Sequence, residues 1–152
     1  MHINLFLEGR SCLVIGGGKI ALHKPELFLE AGAQVHVISP EITPGCERLV
    51  ELKLVTYEAR EFEVADATNA TLVYAATNSR GANRAILSAC RENQLLCCCV
   101  DGNWSDGDFT TPAITRHNQL MISISSGGTN CRQSILVKNS VGRHLEMLDA
   151  AH

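Results

Sequence analysis

The apolar run Cys12-Leu13-Val14-Ile15 ends in three glycines, Gly16-Gly17-Gly18, with a small residue, Ala21, completing the spacing G-x-G-x-x-A. No other stretch restricts the fold as much. Four apolar residues without alternation read as a strand covered on both faces, the habit of parallel sheets. A helical pattern follows from Lys19 to Ala31 and stops at Gly32, a residue suited to a helix C-terminus. A second apolar strand then spans Gln34 to Ile38. Strand, glycine turn, helix and strand in this order form a dinucleotide-binding unit. Gly16 allows the sharp turn, Gly18 lets backbone approach a pyrophosphate, and Ala21 lets the helix lie close on the strand. Phosphates rest on free N–H groups at the positive helix end, which assigns the backbone of Lys19 and Ile20 to them.

The alternation continues. Leu52 to Tyr57 reads as a third strand, Glu58 to Asn69 as a charged loop with a short helical turn, and Thr71 to Ala76 as a buried strand closed by Thr77 and Asn78. Gly81 to Asn93 has helical periodicity, and Leu95 to Val100 reads as a fifth strand. The fold class that follows is α/β: a Rossmann-like, doubly wound parallel sheet with helices on both faces. Pro25 lies past the first turn of its helix and is expected to remove a hydrogen bond and kink it. After Asp101 the pattern changes to a polar loop, then two strand-like segments, Thr111 to Thr115 and Gln119 to Ser125, which suggest an antiparallel hairpin. Ser126-Gly127-Gly128-Thr129 is a second glycine turn, and Cys131 to Leu148 reads as a helix. We therefore expect a dinucleotide-binding domain over 1–108 and a hairpin-plus-helix region over 109–152. The latter is too small to bury its own core, so it is expected to pair with a second copy.

Composition excludes several classes. The net charge is −3 with no long basic run, which argues against nucleic acid. The N-terminus carries no signal-peptide pattern and no apolar run approaches a membrane span, so a cytoplasmic chain is expected. Seven cysteines, an odd number without a secretory signal, argue against a disulfide framework. Cys97-Cys98-Cys99 alternate between the faces of a strand and suit a buried core better than one metal ion. His23, His36, His117 and His144 share no ligand spacing, so no resident metal is expected.

At the strand ends the residues become chemically specific. Ile38 and Ser39 close the second strand, where the adenosine ribose is usually held. The usual acidic residue is replaced by Ser39-Pro40, and no arginine stands adjacent to hold a 2′-phosphate, so NAD is favoured over NADP. Thr77 and Asn78 close the fourth strand, near the nicotinamide half. Asp101, at the C-terminal end of the fifth, stands at the edge where such sheets bind ligands and suits a general base. It equally suits a turn-capping aspartate. Trp104, in the loop beyond, suits stacking on a flat ring system or covering the core.

Four blocks in register carry a resemblance: Gly16-Gly17-Gly18 with Ala21, Lys24, Ala31-Gly32-Ala33 and Ser39-Pro40-Glu41; Ala75-Ala76-Thr77-Asn78 with Asn83; Val100-Asp101 followed by Phe109 and Pro112-Ala113; and Ile124 to Thr129. Together they resemble the precorrin-2 dehydrogenase family, the N-terminal module of siroheme synthase, over roughly Leu5 to Leu145. The resemblance implies NAD-dependent oxidation of precorrin-2 to sirohydrochlorin, and in some members insertion of ferrous iron into the product. It implies catalysis by Asp101, cofactor contacts at Gly16, Gly18, Lys19, Ile20, Ile38, Ser39, Thr77 and Asn78, and tetrapyrrole contacts at Ser126 and Gly127. It also implies a homodimer built through the segment after Ser126. Family members commonly carry further helices beyond the position of His152, so this region reads as a short form or a truncated helical domain. A different class, an NAD-sensing regulatory module without catalysis, would share the glycine turn but need no carboxylate at Asp101.

Overall fold

A computed structural model describes residues 3–100 and 106–150, with residues 19–24 and 150 described through their backbone alone. The chain divides into two compact units, Met1–Phe109 and Thr110–His152.

The first unit is a parallel sheet of five strands, β1 (Ser11–Ile15), β2 (Gln34–Ile38), β3 (Val55–Glu58), β4 (Leu72–Ala75) and β5 (Leu96–Cys99). They lie in the order β3-β2-β1-β4-β5. Successive connections run one way from β1 to β3 and the other way from β4 to β5. The point of reversal, between β1 and β4, is where open α/β sheets bind ligands. Three helices connect the strands, α1 (Lys19–Glu30), α2 (Pro44–Glu51) and α3 (Arg80–Glu92), with a 3-10 turn at Val64–Thr68.

Strand alternation splits the core into two layers. Cys12, Val14, Val35, Val37, Tyr74 and Cys98 pack with Phe28 of α1 and Cys46 of α2. Leu13, Ile15, Ile38, Val73, Ala75, Cys97 and Cys99 pack with Ile86, Ala89 and Cys90 of α3. Helices thus cover both faces. The three consecutive cysteines are all buried, and they divide between the layers as a pleated strand requires. Tyr74 anchors its layer through edge-on contacts with the rings of Phe28 and Phe109, at centroid distances of 5.1 and 5.5 Å.

Helix α1 stops where Gly32 predicted. Gly32 takes φ +74°, its N–H reaches Leu29 O at 3.0 Å, and the Ala33 N–H reaches Phe28 O at 3.0 Å. This pair of bonds satisfies the last carbonyls of the helix. The helix runs through Pro25 from Lys19 to Glu30.

Some boundaries differ from the sequence reading. The third strand begins at Val55, because Leu52-Lys53-Leu54 close a helix, α2, that periodicity did not reveal. Lys53 takes φ +56°, and the Lys53 and Leu54 N–H groups return to Val50 O and Leu49 O. Pro44 and Gly45 look like turn residues in the sequence, yet Pro44 sits at the start of α2, where its missing N–H costs nothing. The expected polar loop after β5 is, over its described part, a strap along the sheet edge. The Asp108 N–H donates to Cys97 O at 2.7 Å, and its carboxylate accepts from the Cys97 N–H at 3.0 Å. Such pairing covers an otherwise open edge. A Cβ on Gly107 would lie 2.9 Å from the Cys99 nitrogen, so the strap needs glycine there.

The second unit is a two-stranded antiparallel sheet, β6 (Ala113–His117) and β7 (Leu120–Ile124), followed by α4 (Cys131–Ala150). The first strand lies two residues later than Thr111–Thr115 and the second is one residue shorter at each end than Gln119–Ser125, because the turn centres on Asn118, at φ +53°, and Gln119. Asparagine tolerates that left-handed conformation, as tight hairpins require. Asn130 caps α4: its Oδ1 accepts from the Gln133 N–H at 2.9 Å.

Candidate dinucleotide and substrate site

The glycine turn joins β1 to α1 at the point where the strand order reverses, and its three glycines do different things. Gly16 has φ +120°, and a Cβ there would collide with the carbonyl of Ala76 at the end of β4. Its N–H donates to Ile38 O at 2.9 Å, so the turn is pinned to the end of β2 as well. Gly17 packs against the loop after β2: a Cβ would overlap the Glu41 carbonyl, and Gly17 O accepts from the Thr43 N–H at 3.1 Å. Gly18 differs. The nearest heavy atom to a Cβ at Gly18 is Asn78 Oδ1, at 4.0 Å. Gly16 and Gly17 are therefore needed by the protein's own packing, while Gly18 borders open ground.

Gly18 is also the N-cap of α1. No side chain caps this helix and no acidic residue lies in its first turn. Its opening N–H groups, which include the backbone of Lys19 and Ile20, have no intrahelical acceptors. Free donors, a positive helix end and bare backbone at Gly18 together suit a pyrophosphate. These residues fit a dinucleotide.

The other expected cofactor residues take distinct positions. Ile38 is 1% exposed with its side chain inside the α3 layer, so its backbone is what it offers at the strand end. Ser39 is buried. Its hydroxyl donates to Glu41 O at 2.7 Å, and its carbonyl accepts from the Tyr57 hydroxyl at 2.9 Å. Tyr57, which carries no sequence signal beyond its strand pattern, thus fixes the exit of β2. Thr77 and Asn78 leave β4 opposite the glycine turn. Asp101, Asn103 and Trp104 lie outside the described residues. Val100 precedes Asp101, and its N–H donates to Ala75 O at 3.1 Å, beside the end of β4.

In the second unit the Ser126 hydroxyl accepts from the Asn130 N–H at 2.8 Å, which leaves its own proton available to an acceptor. Gly127 has φ +63°, and a Cβ there would meet nothing within 4 Å. Among the described residues no group of three or more His, Cys, Asp or Glu is arranged to hold a metal ion. No helix among them is long and apolar enough to cross a membrane.

A charged network runs from β2 through β3 to the segment after it. His36 bonds Thr56 Oγ1 at 2.6 Å and Glu58 at 3.0 Å. Arg60 then bridges Glu58 at 2.6 Å and Asp66 at 2.8 and 2.7 Å. The guanidinium holds both carboxyls below their usual range, chiefly through these hydrogen bonds. Burial pushes the Cys12 thiol up to about 11.

Comparison with known proteins agrees with this geometry. Residues 3–113 match a family model described as NAD(P)-binding. The siroheme synthase of Nitrosomonas europaea is 33% identical over 96% of this chain and 32% of its own length. The precorrin-2 dehydrogenase of Bacillus subtilis is 25% identical over 96% of this chain and 89% of its own length. The solved structure of SirC, a precorrin-2 dehydrogenase, superposes with a TM-score of 0.81 at 25% identity, covering 95% of this chain and 70% of that one. The chain spans about a quarter to a third of the length of the siroheme synthases it matches. The α/β fold and the family resemblance read from the sequence both stand.

Proposed function

Because this chain belongs to the NAD(P)-binding family and aligns over most of its length with siroheme synthases and a precorrin-2 dehydrogenase, we propose that it oxidises precorrin-2 to sirohydrochlorin, with NAD as the cofactor. The observation that carries the reading is the open, uncapped start of α1 at Gly18, facing Asn78. The reaction takes a hydride and a proton from precorrin-2 and yields sirohydrochlorin, NADH and H⁺. Bound NAD⁺ supplies the hydride acceptor.

The remaining work falls to the chain. The α1 N-terminus and the backbone of Gly16, Gly18, Lys19 and Ile20 take the pyrophosphate. The strand ends at Ile38-Ser39 and Thr77-Asn78 take the two nucleoside halves. Asp101 accepts the proton, and Ser126 and Gly127 present a hydroxyl proton and bare backbone to the tetrapyrrole's carboxylates. Support for NAD over NADP comes from the charge balance beside β2. The residues after Ile38 are Ser39 and Pro40, and the guanidinium of Arg60 is already shared between Glu58 and Asp66. The second unit exposes Leu120, Met121, Ile135, Leu136, Val137, Met147 and Leu148, which supports a homodimer formed through it.

The decisive experiment follows NADH absorbance in a mixture of this chain, precorrin-2 and NAD⁺. Stoichiometric NADH and sirohydrochlorin are expected, and Asp101→Asn is expected to lower turnover by about 10²–10⁴-fold while NAD binding persists. No NADH from folded chain rejects the dehydrogenase. NAD binding without any binding of sirohydrochlorin marks a sensing module instead. Repeating the assay with ferrous iron and sirohydrochlorin, with NAD⁺ omitted, tests iron insertion as a separate step.

A further inference from the structure

Asn83 lies in the first turn of α3, 1% exposed, and its side chain does not serve its own helix. That task belongs to Ser79, whose hydroxyl accepts from the Ala82 N–H at 3.2 Å. The Asn83 amide instead turns back onto the exit of β4. Its Oδ1 accepts from the Thr77 N–H at 3.1 Å and from the Thr77 hydroxyl at 2.7 Å. Its Nδ2 donates to Thr77 O at 3.1 Å. Thr77 stands one residue beyond Ala76, whose N–H makes the last sheet bond of this strand, to Ile15 O at 2.8 Å. Past that point Asn83 holds both peptide groups of Thr77 at once.

The held residue is in contact with the cofactor turn. A Cβ on Gly16 would lie 3.0 Å from the Thr77 nitrogen, and one on Gly18 would lie 4.0 Å from Oδ1 of Asn78, the next residue. We infer that Asn83 is a positioning residue for the dinucleotide: it fixes the Thr77-Asn78 backbone at the distance from the glycine turn that the cofactor needs. This rests on the proposed cofactor site and adds to it a residue that touches no ligand. An asparagine is suited to the role because one planar amide offers an acceptor and a donor side by side, matching the N–H and C=O of a single residue. With either bond lost, a partly buried peptide group of Thr77 loses its partner, and the loop is no longer held in this position.

The test compares Asn83→Leu, which keeps the volume and removes the three bonds to Thr77, with Leu87→Ala, which damages the same helix through its apolar face. Leu87 is buried in the α3 layer and bonds nothing in the 76–79 loop. Both full-length variants are assayed for thermal midpoint, NAD⁺ dissociation constant, and kcat against KM for NAD⁺. Asn83→Leu is expected to raise the NAD⁺ dissociation constant and KM at least tenfold with kcat at saturation within about threefold, whereas Leu87→Ala lowers the midpoint and leaves NAD⁺ affinity within twofold. Asn83→Asp retains the acceptor side and is expected to fall between Asn83→Leu and the unaltered chain. Wild-type NAD⁺ affinity in Asn83→Leu, or an equal loss in Leu87→Ala, overturns the positioning role alone. Failure of the unaltered chain to bind NAD⁺ overturns both this role and the cofactor site.

Discussion

Unit 1 holds every fully buried hydrophobic side chain among the described residues, while the most enclosed described side chain of unit 2 is a serine, Ser134. The same chain thus gives two kinds of structure. Burying a Val, Leu or Ile contributes about 1.5–3 kcal/mol. Unit 1 repeats that gain on both faces of a five-stranded sheet. In unit 2 one hairpin and one helix can shield each other on a single side only, and Leu120, Leu136 and Met147 remain more than 60% exposed. The difference teaches that a parallel sheet finishes its own core, whereas a hairpin and helix finish theirs on something else. For this chain we propose a second copy.

Thiol chemistry should separate the units most widely. Six cysteines lie buried in unit 1, and Cys131, in unit 2, is exposed. With Ellman's reagent at pH 8, one thiol per chain should react within seconds and six only after unfolding. Protection by a stable core lowers rates by several orders of magnitude. At Cys12, whose pKa is about 11, only about one thiol in a thousand is ionised at that pH. Fast reaction of two or more thiols would mean that unit 1 opens readily and would erase the contrast. Slow reaction of Cys131 at high protein concentration, turning fast on dilution, would place a partner over the N-terminal end of α4.

Core truncation gives the next largest effect. Tyr74→Ala removes a fully buried ring held between Phe28 and Phe109 and should cost about 4 kcal/mol by denaturant titration. Leu136→Ala, at an exposed position of unit 2, should change monomer stability by less than about 0.5 kcal/mol. It should nonetheless weaken self-association measured by sedimentation. If Leu136→Ala unfolds a dilute monomer, unit 2 has a core of its own and the comparison fails.

How much of this was legible follows from the same asymmetry. Cys12–Ile15, the glycine turn and Gly32 announce β1 and α1 because local sequence and buried environment agree there. Helix α2 was hidden because Pro44 and Gly45 mimic a turn, and only its packing through Cys46 against β2 and β3 makes it a helix. The strap at 106–109 was illegible for a different reason. Gly107 and Asp108 read as loop, and their partners on β5 lie on a strand whose edge is not marked in the sequence. Within the site, the glycine spacing singled out Gly16 and Gly18, while Gly17, which it passed over, serves the loop after β2. Asn83 stood in the sequence only as part of a resemblance block and Tyr57 only as a strand residue; what they fix, 6 and 18 residues away, was not marked.

The smallest expected effect is electrostatic, and its size and pH dependence distinguish the units. Arg60 grips Asp66 with two hydrogen bonds, at 2.8 and 2.7 Å, and holds its carboxyl below the usual value near 4. A carboxyl with a depressed folded-state pKa favours folding while it is ionised. That contribution is complete above about pH 4, shrinks as the pH falls further, and is gone once the pH passes the depressed folded value. Asp66→Asn should therefore cost roughly 1 kcal/mol near neutral pH, allowing for solvent screening, and the gap to the unaltered chain should close progressively below about pH 4. In unit 2 the pair of His117 and Asp149 is longer, at 3.4 Å, with the Asp149 side chain 58% exposed. Asp149→Asn should thus shift stability by less than about 0.5 kcal/mol across the same range. Urea titrations of both variants between pH 3 and pH 7 make the comparison. A constant offset for Asp66→Asn at every pH would show that its bond to the Glu63 N–H, at 2.7 Å, outweighs its charge. A pH-dependent loss in Asp149→Asn of equal size would show that unit 2 holds its helix by charge where unit 1 relies on burial.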